Sequence, residues 1–233
     1  MRFFVPPAGI RDKTAIILDR DVLHQLTRVL RSRPGDHVVL LDNSGREFTV
    51  ELTSISPKAI EGSVIDVKTN ANEPTSIVTL YQALPKKLSL FELVLQKCTE
   101  IGVSRFVPII TERTEREHLG KIDRLHTIIR EAAEQSERGR LPTLSEPMQF
   151  KTAIEHDNSE LRLISHSRLQ KNQSVNLPHP MPKTVSIYIG PEGGFTEDEI
   201  TFSISKNLTP LSLGPRILRT ETAAIVAAGK ILI

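Results

Sequence analysis

The 233-residue sequence contains one cysteine, no tryptophan and two tyrosines. A lone thiol cannot close an internal disulfide and lacks the partners that a thiolate metal site needs. Cys98 lies at i+4 from Val94 and i−3 from Ile101, a helical core spacing that assigns it to packing. The seven histidines show no His-Glu-x-x-His or similar ligand spacing, so no metal is expected. No apolar run approaches the roughly 20 residues of a membrane span. The Met1 to Pro7 start has neither an apolar stretch nor a cleavage site of the signal-peptide kind, which points to a soluble, cytoplasmic protein. A large excess of positive charge is missing too. Thirty lysines and arginines against 28 acids leave a formal charge of +2, so affinity for nucleic acid has to come from local patches.

What is present divides into two unequal parts. Residues 1–70 read as short alternating strands, such as His37 to Leu41 and Glu47 to Leu52 around an Asp42-Asn43-Ser44-Gly45 turn, the pattern of a small β-barrel. One helix interrupts them. It is opened by Asp19 or Asp21, closed before Pro34-Gly35, and buried through Leu23, Leu26 and Leu30. Its other face carries His24, Arg28 and Arg31 at i, i+4 and i+7, with Arg33 following and no acid between Asp21 and Asp36. Such a face is either plain solvated surface or a phosphate contact, and its place in a small barrel favours RNA.

Thr69 to Thr75 is polar, turn-rich and aperiodic, which places a domain boundary there and a second domain over 74–233. Strands and helices then alternate in an α/β pattern: strand Ile77 to Ala83, helix Ser89 to Ile101, strand Phe106 to Ile110, helix Ile122 to Glu137, strands Leu161 to Ser165 and Thr184 to Gly190, helix Glu197 to Ser205, a short strand Leu211 to Leu213 and a final Ala-rich helix. A long polar loop with three prolines separates His166 from Lys183.

Two glycine turns carry the chemistry. Ile189-Gly190-Pro191-Glu192-Gly193-Gly194-Phe195 follows an apolar strand and leads into Thr196-Glu197-Asp198-Glu199, which has capping-box spacing. Glycines at the carboxyl end of a strand let backbone approach a ligand, although an ordinary tight turn is the alternative. The spacing fits neither Gly-x-Gly-x-x-Gly nor the phosphate loop, so dinucleotide and nucleoside-triphosphate readings lose support. Leu213-Gly214-Pro215-Arg216-Ile217-Leu218-Arg219-Thr220-Glu221-Thr222 again joins a strand to a helix, with Thr220 the expected N-cap. Two such turns would wall one pocket.

The pairing of these segments closely resembles the bacterial 16S rRNA uridine N3-methyltransferase family, RsmE, of the SPOUT class. Gln82-Ala83-Leu84-Pro85-Lys86, Gln96 to Val103, Thr111-Glu112-Arg113-Thr114, Glu131 to Ser136 and His24 to Arg31 extend the resemblance over nearly the whole chain. It implies a PUA-like RNA-binding β-barrel over 1–70, then an α/β SPOUT domain with a C-terminal trefoil knot, acting as a homodimer on 16S rRNA of the small ribosomal subunit. It implies S-adenosylmethionine as cofactor, held by Ser165, His166, Ile189, Gly190, Pro191, Gly193, Gly194, Leu213, Gly214, Ile217, Leu218 and Arg219.

On that reading Arg219 and Arg113 would stabilise the deprotonated base, and Glu112 or Glu221 would take the proton or orient an arginine. For the two glutamates, a helix-dipole partner is the alternative. RNA phosphates would meet His24, Arg28, Arg31, Arg33, Lys86, Lys97, Arg138 and Arg140. Three departures from the family pattern stand out: Lys87 and Glu137 where glycine is usual, and Ser167 after His166. Glu137 puts an acid beside Arg138 and Arg140, where it would either weaken RNA contact or form a surface salt bridge, the latter being the expectation. Two other readings remain, a non-catalytic ribosome-assembly RNA-binding protein and a SPOUT methyltransferase for a ribose 2'-hydroxyl or a tRNA base.

Overall fold

The computed structural model describes residues 1–166 and 177–233, so Ser167 and most of the proline-containing loop lie outside it. The chain forms two compact units: Met1–Glu73 together with Ala133–Leu141, and Pro74–Ala132 together with Pro142–Ile233.

The first unit is a six-stranded sheet of β1 (Arg2–Phe4), β2 (Ile10–Arg11), β3 (Thr14–Ile17), β4 (His37–Leu41), β5 (Arg46–Ile55) and β6 (Ile60–Thr69), in the order β1-β4-β5-β6-β3-β2. Irregular register between Thr49 and Val50 and between Leu52 and Ser54 bends the long β5–β6 pair, as bulges do. Alternate residues point into one apolar cluster, including Phe3, Ile17, Leu40, Val50 and Ile60. Val22, Leu23 and Leu26 complete it from the helix, and full burial of a side chain such as Leu26 contributes about 2 kcal/mol.

That helix departs from the expected regular one. α1 (Arg20–His24) is capped by Asp19, whose carboxylate accepts from the N–H groups of Asp21 and Val22. Gln25–Val29 is then π-helical. The Thr27 hydroxyl donates to the Leu23 carbonyl at 2.7 Å, competing for an acceptor of the α ladder, and Leu30 N–H reaches back to Gln25. The shift turns Leu30 outward, so it is exposed and not part of the buried stripe. It also breaks the i, i+4, i+7 alignment of His24, Arg28 and Arg31; Arg31 lies past the helix at φ +53. All three, with Arg33, remain exposed.

Residues 70–73 are not a loose linker. Asn70 is buried and bridges Glu47 and the Glu137 carbonyl, while one Glu73 oxygen accepts from the N–H groups of Gly139 and Arg140. The Glu73 carboxylate also pairs with Arg138 at 2.9 Å, and Arg138 is only 3% exposed. Arg138 is therefore a buried structural cation, not an RNA contact. Arg140 is exposed but donates to the Ser44 carbonyl. The Glu137 carboxylate pairs with Arg2 at 2.6 Å, a partner from the other end of this unit's chain. Its φ of +61 is the left-handed conformation that glycine adopts without strain, which fits the glycine that the resemblance implies at this position. Lys87, by contrast, is extended at φ −99, a conformation open to any side chain.

The second unit is an all-parallel sheet built from β7 (Ile77–Ala83), β8 (Arg105–Ile110), β9 (Thr143–Leu144), β10 (Met148–Gln149), β11 (Leu161–Ser165), β12 (Thr184–Ile189) and β13 (Thr209–Leu211). The order is β10-β8-β7-β12-β11-β13, with β9 beside β8. Helices α2 (Leu88–Ile101), α3 (Ile122–Gln135), α4 (Phe150–His156), α5 (Glu197–Ser205) and α6 (Thr220–Leu232) accompany it. β13 ends where the sequence pattern places its strand start, and the segment after it is irregular, with Gly214 at φ +107 and Pro215 without an N–H.

The central strands β7 and β12 are buried nearly throughout, as both-face burial of a parallel sheet requires. Val94, Leu95 and Cys98 of α2 and Ala224, Ala227 and Ala228 of α6 share one core, and the small alanines allow the two helices to pack closely. Cys98 is fully buried and its thiol pKa is pushed far up by desolvation, which leaves it inert. Asp157 is buried at the end of α4, accepting from the Ser186 hydroxyl at 2.5 Å and from Tyr188 at 3.0 Å and pairing with Arg162. Tyr81 stacks on Tyr188 with ring centroids 4.3 Å apart, and burial, with the Asp157 charge, raises Tyr81 to about 12.

Candidate active site

β11, β12 and β13 are parallel neighbours, so their carboxyl ends lie side by side, where an open α/β sheet binds ligands. A cavity of about 610 Å³ occurs there. It is lined by Ser165 and His166 after β11, by Gly190, Pro191, Gly193 and Gly194 after Ile189 of β12, and by Leu213, Gly214, Ile217, Leu218 and Arg219 after β13. Both glycine turns thus face one space, together with every residue assigned to cofactor contact. Arg113 and Glu221 also line it.

Glu112 does not. Its backbone N–H donates to Glu199, and its carboxylate accepts from the Thr196 hydroxyl at 3.3 Å, outside the cavity lining. Thr196 and Glu199, which form the capping box of α5, engage it instead.

The Gly190 to Gly194 turn is held by bonds to its own carbonyls. Thr220 donates to the Gly190 oxygen at 2.6 Å, Gly194 N–H to the Pro191 oxygen at 2.8 Å, and the Arg113 guanidinium to the Gly193 oxygen at 2.7 Å. The Glu192 carboxylate accepts from Lys86 N–H at 3.0 Å and ties the turn to the residues after β7. The N–H groups of Glu192 and Gly193 make no hydrogen bond among the described residues. With the Gly190, Pro191 and Gly193 carbonyls engaged and the Glu192 and Gly193 N–H groups open, the turn favours a ligand edge that accepts hydrogen bonds. Gly194 at φ +69 and Gly214 at φ +107 adopt left-handed backbone, so each wall depends on a residue without a Cβ.

The start of α6 differs from expectation by one position. Arg219 is the N-cap, its carbonyl accepting from Ala223 N–H, and Thr220 is the first helical residue. The Thr220 hydroxyl is not available for capping because it bonds to Gly190. Gln82, at the centre of the sheet and 1% exposed, donates to Thr220 Oγ1 at 2.8 Å and to the Ala83 carbonyl at 2.9 Å. Its Oε1 is buried with no partner among the described residues, a cost of about 1–3 kcal/mol. The sequence patterns assign neither Gln82 nor Glu192 a role in the site. A glutamine within an apolar strand and an acid inside a glycine turn are the signals that point to them.

Of the assigned phosphate contacts in this unit, both lysines are paired. Lys86 meets Glu115 at 2.7 Å, which raises its pKa, and Lys97 meets Glu100 at 2.8 Å. No group of three or more histidine, cysteine, aspartate or glutamate side chains suited to a metal occurs among the described residues. No helix among them is long and apolar enough to cross a membrane.

Residues 71–232 match a family model described as an RNA methyltransferase domain, and residues 18–65 match one described as an RNA methyltransferase PUA domain. The first match covers the whole unit that holds the cavity except its last residue, and the second falls within the unit that holds the π-helical turn, so the class is an RNA methyltransferase with a PUA domain. A ribosomal RNA small subunit methyltransferase E of Synechocystis sp. is 36% identical over 99% of this chain and 76% of its own length. One from Bacillus subtilis is 30% identical over 95% and 91%. The chain belongs to the ribosomal RNA small subunit methyltransferase E family. A solved member from Neisseria gonorrhoeae, bound to S-adenosyl methionine, has a TM-score of 0.88 at 29% identity and covers 99% of this chain and 95% of that one.

Proposed function

We propose that this protein methylates N3 of one uridine in 16S rRNA of the small ribosomal subunit, with S-adenosylmethionine as the methyl donor. The observation that carries the reading is the cavity between two glycine turns at the ends of β11, β12 and β13. Its volume of about 610 Å³ suits a ligand of cofactor size. Ile189, Leu213 and Leu218 offer apolar contact to a flat base, and the open N–H groups of Glu192 and Gly193 offer donors to its polar edge.

When bound, the cofactor supplies a methyl group already activated on a sulfonium. The protein's share is then alignment and control of one proton. N3 lies on the Watson–Crick edge, so the uridine must enter unpaired. Arg219 lines the cavity, is exposed and forms no ion pair among the described residues, which leaves its charge for the base as N3 loses its proton. Arg113 is engaged with Gly193 and is better suited to holding the turn. Glu221 lines the cavity without an ion pair among the described residues and, of the two glutamates expected to act on the proton, is the one placed to accept or relay it. In the first unit the exposed His24, Arg28, Arg31 and Arg33 are the group suited to RNA phosphates.

Three further features belong to the same reading. A trefoil knot is supported by β13 lying at the sheet edge while α6 packs back on α2, β7 and β12, with residues of the 212–219 segment sharing one cavity with Ser165 and His166. A homodimer is supported by Ile217, which lines the cavity and is 82% exposed, an apolar surface that a second copy would cover. A cytoplasmic location follows from a ribosomal substrate.

The test is product analysis. Unmodified small subunits incubated with purified protein and labelled cofactor should yield 3-methyluridine after nuclease digestion and mass spectrometry. A 2'-O-methyl nucleoside would refute the N3 assignment, and failure to bind cofactor would leave only an RNA-binding role.

A further inference from the structure

Hydrogen bonds among Gln82, Thr220 and Gly190 form a continuous chain across three elements. Gln82 comes from β7, Thr220 from the first turn of α6 and Gly190 from the end of β12. Gly190 is followed by Pro191, so the peptide between them has an acceptor and no N–H. Its oxygen can only accept, so Thr220 must donate to it, and Gln82 must present its NH2 group to Thr220. That direction leaves the Gln82 oxygen buried and unpartnered among the described residues. Reversing the amide would bring its oxygen against the Ala83 carbonyl, which accepts from the same NH2 group at 2.9 Å.

We propose that Gln82 and Thr220 are positioning residues: a one-way hydrogen-bond relay that draws the Gly190 carbonyl onto α6 and so keeps the Gly190 to Gly194 turn in its ligand-receiving shape. Neither residue acts on the reacting atoms. Gln82 does not line the cavity and acts through Thr220; Thr220 lines it but commits its hydroxyl to Gly190. With Arg113 on Gly193 and Gly194 on Pro191, the relay brings to three the carbonyls of the turn that are engaged, while the N–H groups of Glu192 and Gly193 make no hydrogen bond among the described residues. The inference deepens the proposed cofactor role of this cavity and rests on it only for the identity of the ligand.

Thr220→Val removes the hydroxyl at nearly constant shape, Thr220→Ser keeps it, and Gln82→Met removes the amide at similar length. Two measurements are made on each folded protein well below its melting temperature: amide hydrogen exchange over residues 190–194, and calorimetric affinity for S-adenosylhomocysteine and S-adenosylmethionine. Thr220→Val and Gln82→Met should each speed exchange of the turn and weaken both ligands by roughly tenfold, as the loss of one buried hydrogen bond implies. Thr220→Ser should restore both properties, and the double variant should lose no more than either single one, because one relay is broken once.

Unchanged exchange in Thr220→Val, a Thr220→Ser variant as impaired as Thr220→Val, or additive losses would each overturn the relay. If the unaltered protein binds neither ligand, the cofactor reading fails, and the exchange measurements still decide whether the relay shapes the turn.

Discussion

The Arg113 guanidinium donates to the carbonyl oxygen of Gly193 at 2.7 Å, joining the segment after β8 to a turn 80 residues further along the chain. Arg113 is exposed, so its replacement by alanine should change folding stability by no more than about 0.5 kcal/mol. The turn would nevertheless lose one of its anchors. Arg113→Ala is expected to raise the KM for cofactor several-fold with a smaller effect on kcat, measured in steady-state assays at saturating RNA. A fall in kcat alone would instead make Arg113 a contact of the reacting base.

Alanine, not valine, is the clean probe of the pocket at Gly194, because φ there is +69 and a branched side chain would strain the backbone itself. A Cβ built at Gly194 meets nothing within 4 Å, so the penalty of Gly194→Ala is conformational, about 1–2 kcal/mol, visible as a drop of a few degrees in melting temperature. Gly193→Ala behaves differently, because its Cβ would come 3.3 Å from Arg113 Cδ. It should weaken cofactor binding with little loss of stability.

Glu47 sets a pH dependence. Burial raises its pKa, but the Asn70 hydrogen bond and the charges of Arg2 and Lys68 outweigh burial, and the net value lies below the ordinary 4.5. A carboxylate with a depressed folded pKa contributes stability that is complete above its unfolded value and is lost as pH falls through the folded one. The first unit should therefore weaken below about pH 4.5, and Glu47→Gln should be less stable at neutral pH yet flatter in acid. Denaturant midpoints followed from pH 7 to 3 check this.

Arg138 and the exposed arginines should separate cleanly. Arg138→Ala deprives the partly buried Glu73 carboxylate of this partner and is expected to cost about 3 kcal/mol of stability, seen in urea melts. Arg28→Ala and Arg31→Ala should leave the melts unchanged, weaken binding to small-subunit RNA, and lower the salt slope by about one for each phosphate that is no longer neutralised. Equal RNA affinity for all three variants would move the RNA face elsewhere.

Glu137→Gly should be neutral or mildly stabilising. Relief of left-handed strain, about 1 kcal/mol, opposes the loss of a partly exposed Arg2 pair and the added freedom of the unfolded chain. Glu137→Val should destabilise, since a β-branched residue tolerates that conformation least. Thermal melts of the two variants give the order.

The α/β alternation, both glycine turns and the burial of Cys98 are legible in the sequence because each is local: an apolar run, a glycine cluster or a helical spacing. Strand Leu161–Ser165 and helix Glu197–Ser205 coincide with their patterns to the residue. The departures have other causes. Leu30 turns outward because one threonine hydroxyl competes for a helical carbonyl. Arg138 has the sequence context of a surface residue because its partner, Glu73, lies 65 residues away. Helix α4 leaves no pattern, being only Phe150–His156 and too short to declare a period. Threonine before a helix is ordinarily a cap, and only the fold reveals that Gly190 claims the Thr220 hydroxyl.

Cys98 is the only thiol in the chain and is fully enclosed, with its ionisation suppressed. The protein is in effect blank to maleimides and other thiol reagents while it stays folded. A single cysteine introduced at an exposed position such as Arg28 or Ile217 would thus carry a fluorophore or spin label alone, with no need to remove the native residue. Labelling of Cys98 itself would then time the opening of the core.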